Sequence, residues 1–157
     1  MTEEETKKQT EDHIAQVQSF LKMVASKLEY RGIVHDRSKF SEKELPFFIK
    51  YTPKLKDCTY GSDEYKQYLK ELQPALDHHY AKNKHHPEHY ENGIKDMTLI
   101  DVMEMFCDWL SATKRHADGD IYKSIAINKK RFNYGEELEA LFINTAKEFQ
   151  REYKNED

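Results

Sequence analysis

The chain is poor in the residues that break helices or cross-link chains. Its 157 residues include only 5 glycines, 4 prolines and 2 cysteines. With so few turn-formers, and with the apolar residues falling at helical spacing, the sequence argues for helices joined by short loops. Cys58 and Cys107 belong to no CxxC pair, which excludes both a disulfide framework and a thiolate zinc site and fits a reducing cytosol. No apolar run approaches the roughly 20 residues of a membrane span, and the polar start MTEEETKKQTED offers no signal-peptide core. The expectation is a cytoplasmic protein without a membrane partner. There is no basic stripe either: 25 Lys and Arg are interspersed with 29 Asp and Glu for a net charge of −4, which argues against nucleic acid as a partner. The length suits one compact domain, 1–157, read as an all-α bundle.

What is present is helical periodicity. From about Glu4 to Glu29 the residues Ile14, Val17, Phe20, Leu21, Val24 and Leu28 form a stripe expected to face a core, with His13 on its edge and Gly32 as a stop. Ser41-Glu42-Lys43-Glu44 reads as an S-x-x-E capping box opening a helix before Leu45. Tyr51 to Gly61 reads as a loop. A helical stripe resumes at Tyr65, Tyr68, Leu69 and Leu72, with Pro74 expected to kink it or begin a new helix. Residues 81–93 read as a turn-rich loop. Met97 to about Ala117 forms the best-marked helix, with Val102, Met105, Phe106, Trp109 and Leu110 on its apolar face. Past the ADGD turn come a short helix around Ile121 to Ile127 and a terminal one with Leu138, Leu141, Phe142, Thr145 and Phe149 inward.

Histidine is the conspicuous residue. Five of the eight, His78, His79, His85, His86 and His89, crowd into twelve positions, and His35 adjoins Asp36. Imidazole and carboxylate together suit Zn, Fe, Mn, Co or Ni, and the absence of thiolate ligands favours a catalytic over a structural site. His79 has the inward phase on its helix, whereas His78 points about a quarter-turn away.

The segment HDRSKF at 35–40 resembles the HD motif of the HD-domain metal-dependent phosphohydrolase superfamily, in which an adjacent His-Asp pair ligates a divalent ion. With His13 upstream, HHYAKNKHHPEHY and then EMFCDW, residues 13–112 look like a small bacterial and phage branch of that superfamily. The resemblance implies an HD-type helical bundle and a ligand set of His13, His35, Asp36 and Asp108. Branches holding two ions add two histidines, for which His79 and His86 are the matching choices. It further implies one or two divalent ions (Mn, Co, Ni, Fe, Zn or Mg), a small phosphorylated substrate such as a nucleotide, and pairing with a second copy. HDRSK also resembles the HDxGK of a branch that cleaves cyclic dinucleotides, in which the lysine faces phosphate; Lys39 is the matching position, but that branch's GYP element is missing here.

In such a site a divalent ion lowers the pKa of water from ~16 to roughly 7 and offsets charge on phosphoryl oxygens. Lys39 or Arg37 would bind a non-bridging oxygen, and Glu104 or a spare histidine would move a proton to the leaving group. Other HD branches use paired iron for oxygenase chemistry, and a degenerate site would serve as a non-catalytic ligand-binding module. Each residue also has a plainer reading. His13 would be a hydrogen-bonded ring at a core edge, the cluster at 78–89 a solvated loop, and Asp101 a helix-capping acid after Thr98. Asp108 would be an exposed acid paired with Lys114 or Arg115.

Overall fold

The computed structural model describes residues 1–58, 62–114 and 119–154, with side chains as far as Gln150. Regular structure among the described residues is entirely helical: α1 (Glu3–Val34), α2 (Leu45–Asp57), α3 (Asp63–Lys82), α4 (Leu99–Thr113), α5 (Ile121–Phe132) and α6 (Glu136–Lys154). Short 3-10 turns occupy Arg37–Phe40, Pro87–His89 and Gly93–Asp96. The all-α expectation holds. Gly61, Arg115, Ala117 and the first half of the ADGD turn lie outside the described residues. The chain divides into two compact units, Met1–His35 and Asp36–Asp157.

The first unit is α1. Its start is fixed by a capping box, in which Glu5 N donates to Thr2 Oγ1 at 3.2 Å and Thr2 N to Glu5 Oε2 at 2.7 Å, with Glu3, Glu4 and Glu5 favourably placed at the positive end of the helix dipole. Gly32 does not stop the helix, because an interior glycine costs only about 1 kcal/mol relative to alanine. The stripe expected to face a core is open: α1 has no buried residue, and Phe20 and Leu21 are 65% and 63% exposed. Helical periodicity reports that a face is apolar, not what covers it.

In the second unit, α4, α5 and α6 enclose a cluster of Met105, Phe106, Trp109, Ile121, Ile125, Tyr134, Phe142 and Ala146. Phe106 stacks on Phe142 with ring centroids 5.3 Å apart, and Trp109 meets the same ring edge-on at 5.2 Å. Burial pushes the Tyr134 hydroxyl pKa up to about 12, and that hydroxyl donates to the Ile125 carbonyl at 2.7 Å. Leu141, expected inward, is exposed, and the neighbouring turn of α6 buries Phe142 and Ala146 instead. A smaller cluster of Tyr51, Leu72 and Ala75 joins α2 to α3.

One proline expectation is corrected, since helix α2 continues through Pro53 where a loop was expected; of the two readings of Pro74, a kink or a new helix, the new helix is excluded because α3 runs on through it. The hydrogen bonds that these prolines cannot make fall on the carbonyls of Ile49 and Lys70, both at exposed positions where water can replace the missing donor. Buried Tyr51 and Ala75 keep both helices seated meanwhile.

Replacing Phe106 with alanine should cost about 3–5 kcal/mol in urea unfolding, whereas Phe20→Ala on α1 should stay within about 0.5 kcal/mol. A comparable loss at Phe20 would show that its face is covered in solution.

Candidate metal centre

Asp36 begins the second unit in a left-handed conformation, φ 56° and ψ 12°, which aspartate tolerates better than most residues. This bend starts the turn Arg37–Phe40 and leaves the two carboxylate oxygens with different partners. Oδ2 accepts from Lys39 Nζ at 2.6 Å, while Oδ1 faces His79 Nε2 at 3.2 Å and His85 Nε2 at 3.4 Å. His86 Nε2 lies 3.0 Å from His79 Nε2. Asp36, His79, His85 and His86 thus each present one ligand atom within a sphere where all four lie no more than 4.8 Å apart.

Two of these rings are held from behind by buried carboxylates. His79, near the C-terminal end of α3, has Nδ1 at 2.9 Å from Glu44 Oε2. The other oxygen of Glu44 is 2.6 Å from Nδ1 of His78. Glu44 has no exposed surface. His85 repeats the pattern, its Nδ1 lying 3.1 Å from Oε1 of buried Glu104 on α4. Each of these two rings thus faces a carboxylate at both ends, and the contact is shorter at Nδ1, 2.9 and 3.1 Å, than at Nε2, 3.2 and 3.4 Å. For His86, burial and then the neighbouring rings of His85 and His79 disfavour the cation and lower its pKa to about 3.

The supporting bonds fix the turn, α2 and α3 to one another. Ser38 Oγ donates to Glu44 Oε2 at 3.1 Å and accepts from Asn83 Nδ2 at 2.7 Å. The same amide nitrogen donates to the His79 carbonyl at 2.7 Å. The loop carrying His85 and His86 is tied at its far side, where His89 Nδ1 donates to the Tyr80 carbonyl at 2.8 Å and the Tyr90 hydroxyl to Asp101 Oδ2 at 2.9 Å.

Ligands about 2.1 Å from one ion stand roughly 3.0–3.4 Å apart in octahedral or tetrahedral arrangement. The spacings of 3.0, 3.2 and 3.4 Å fall in that range. Neutral imidazoles and a carboxylate sharing one small space form a donor set suited to a cation, and the residues therefore fit a divalent ion.

Of the residues singled out in the sequence, the structure brings together Asp36, His79 and His86, with Lys39 against Asp36. Asp108 offers a carboxylate oxygen within 4.8 Å of a ring nitrogen of His85. Arg115, one of the two partners expected for Asp108, lies outside the described residues. Glu104, expected to move a proton, stands behind His85. Asp101 caps α4 as expected: its N donates to Thr98 Oγ1 at 3.2 Å, and its Oδ2 accepts from Thr98 N at 2.9 Å. His13 is exposed on α1 and His35 caps the end of that helix, so both belong to the first unit.

Sequence reasoning weighed His85 against His86 and chose His86, and it missed Ser38, Asn83 and the role of Glu44. The S-x-x-E box is not formed: α2 starts at Leu45 as expected, but Glu44 makes no capping bond and turns inward to the histidines. The only signal for this was an acid within reach of two adjacent histidines, which spacing alone cannot reveal. His85 and His86 were alternatives in the sequence, and the turn of chain between Asn83 and Pro87 supplies both.

A family of unknown function, DUF5662, matches residues 2–155. The chain belongs to that family. No curated protein and no solved structure matches it.

Burial against neighbouring imidazoles should keep His86 neutral in the metal-free protein well below the usual histidine pKa. The unfolded chain takes up that proton near pH 6.5, so stability contributed by neutral His86 is lost as pH falls from about 6.5 toward 3. Imidazole NMR shifts followed from pH 7.5 to 5 should show His86 unchanged while an exposed histidine titrates; a midpoint near 6.5 at His86 would contradict the buried placement.

Proposed function

We propose that this chain is a metal-dependent phosphohydrolase acting on a nucleotide or a similar small phosphorylated metabolite. The observation that carries the reading is the convergence of His79 and His85 Nε2 on Asp36 Oδ1, with His86 Nε2 3.0 Å from His79 Nε2, at a segment that resembles the HD motif. A divalent ion held there supplies hydroxide at neutral pH and offsets charge on phosphoryl oxygens. Asp36 contributes anionic charge through Oδ1. Lys39, with its side chain 38% exposed and its ammonium on Oδ2, is a cation at the rim that can turn to a non-bridging phosphate oxygen. Glu104 is taken up by His85 and acts through that ring. The resemblance adds His13, His35 and Asp108 to the ligands, and one or two ions to the site.

No described helix is long and apolar enough to cross a membrane, and both cysteines are thiols, which suits a cytoplasmic setting. A second reading is oxygenase chemistry at iron, favoured by the number of imidazoles gathered on one carboxylate. Elemental analysis separates the two, because stoichiometric iron with an optical signature supports the oxygenase and Mn, Co, Ni or Mg without one supports the hydrolase.

Purified protein supplied with Mn²⁺ or Co²⁺ should release phosphate from members of a nucleotide panel. Asp36→Asn should abolish that release together with metal retention, and Lys39→Ala should raise KM. Phosphate release by wild type from no substrate, at native metal content or with added metal, would refute the hydrolase. His13→Ala tests the resemblance on its own: unchanged metal content and activity would remove that residue from the ligand set.

A further inference from the structure

We propose that Glu44 and Glu104 are a matched pair of positioning residues that lock His79 and His85 as Nδ1–H tautomers, and that the site they pre-form takes a nitrogen-preferring transition ion (Zn, Fe, Co or Ni) over magnesium or calcium. The inference rests on the metal-centre reading and extends it to the class of ion and to residues that touch no substrate.

The argument starts from the two ends of each imidazole. A neutral ring has one N–H and one lone pair, and where both nitrogens face a carboxylate the closer acceptor keeps the proton. Glu44 Oε2 stands 2.9 Å from His79 Nδ1, and Glu104 Oε1 stands 3.1 Å from His85 Nδ1. The opposite nitrogen of each ring is the one facing Asp36 Oδ1, at 3.2 and 3.4 Å. The two carboxylates come from different elements, the N-cap of α2 and the middle of α4, yet perform the same operation on rings from α3 and from the loop after it. Neither carboxylate is placed to solvate itself, since Glu44 is fully buried and Glu104 8% exposed.

The donor set then decides the class of ion. Three imidazole nitrogens and one carboxylate oxygen give nitrogen-rich coordination in a close-packed space, with ring centroids of His85 and His86 only 4.1 Å apart. Magnesium keeps water and takes carboxylate or phosphate oxygens, and calcium seeks six to eight oxygens. Imidazole suits the borderline transition ions.

Glu44 does more than its counterpart, because its second oxygen holds His78 Nδ1 at 2.6 Å and Ser38 Oγ donates to the first. A glutamine at 44 keeps the shape but has one acceptor instead of two, so at one imidazole its NH₂ would face Nδ1 and force the other tautomer.

The experiment is metal titration of the full chain, stripped of metal, by calorimetry and by the visible spectrum of Co²⁺. Wild type should bind Co²⁺ at least about 100-fold more tightly than Mg²⁺ or Ca²⁺. Glu44→Gln and Glu104→Gln should each weaken Co²⁺ by about 10–100-fold with unchanged helical circular dichroism. Nitrogen-15 spectra of the metal-free wild type need no variant and stand even if Glu44→Gln fails to fold: His79 and His85 should show Nδ1–H. An Nε2–H tautomer at either ring, equal affinity for Mg²⁺, or full Co²⁺ affinity in both glutamine variants would overturn the proposal. Tight Co²⁺ binding without phosphate release would refute the hydrolase reading and leave this one standing.

Discussion

The buried carboxylate of Glu44 is the constraint on which the candidate metal centre depends. An ionised group without exposed surface is costly unless several donors surround it. Here the donors are His78 and His79 from α3 and Ser38 from the turn after Asp36. Satisfying one charge therefore fixes three pieces of chain at once. The left-handed backbone at Asp36 follows from the same requirement, because the turn it starts brings Ser38 inward to Glu44 and places the Asp36 carboxylate over the imidazoles. A residue held in that conformation costs of order 1–3 kcal/mol, and such positions persist where the surroundings over-determine them.

The face opposite Glu44 has the reverse problem. With the ring protons of His79 and His85 on Nδ1, lone pairs and a carboxylate oxygen would point at one another, an arrangement with poor internal compensation. Lys39 offsets part of the Asp36 charge through Oδ2, but lies on the far oxygen from the rings. A cation among the four ligand atoms would remove the mismatch, and its binding free energy would add to folding stability because the unfolded chain has no such site. The electrostatic shape of the site, donors behind and acceptors in front, is thus intelligible as preparation for a metal.

How far this was legible in the sequence depends on the kind of signal. Helical spacing found Met105, Phe106 and Trp109, because packing inside one helix repeats with the helical period. Local chemistry found the cap formed by Thr98 and Asp101, since both partners lie within one turn. Helical phase distinguished His79 from His78. The failures share a cause, which is dependence on distant partners. The stripe of α1 has the period of a core helix without burial, and Glu44 has the spacing of a capping acid but meets histidines 34 and 35 positions away. The segment with Pro53 was read as a loop because the local cost of the proline was counted without buried Tyr51 beside it, which packs with Leu72 and Ala75 of α3.

The distribution of ligands over the fold bears on how the centre could work. Asp36 comes from a turn, His79 from α3, His85 and His86 from the loop after it, and the carboxylate behind His85 from α4, whose other face packs into the larger aromatic cluster. His79 with Glu44 and the Glu104 carboxylate behind His85 are borne by elements that pack into two separate apolar clusters, one on α2 and α3 and one on α4, α5 and α6. His86 alone of the three rings has no carboxylate shown behind it; its position follows from Pro87, which is buried, and from packing on Tyr80 at 5.0 Å. Two rings with preset lone pairs and a third fixed by packing give a centre in which His86 has the greatest freedom to turn. If a substrate oxygen displaces any protein ligand, His86 is the one whose departure breaks the fewest supporting bonds.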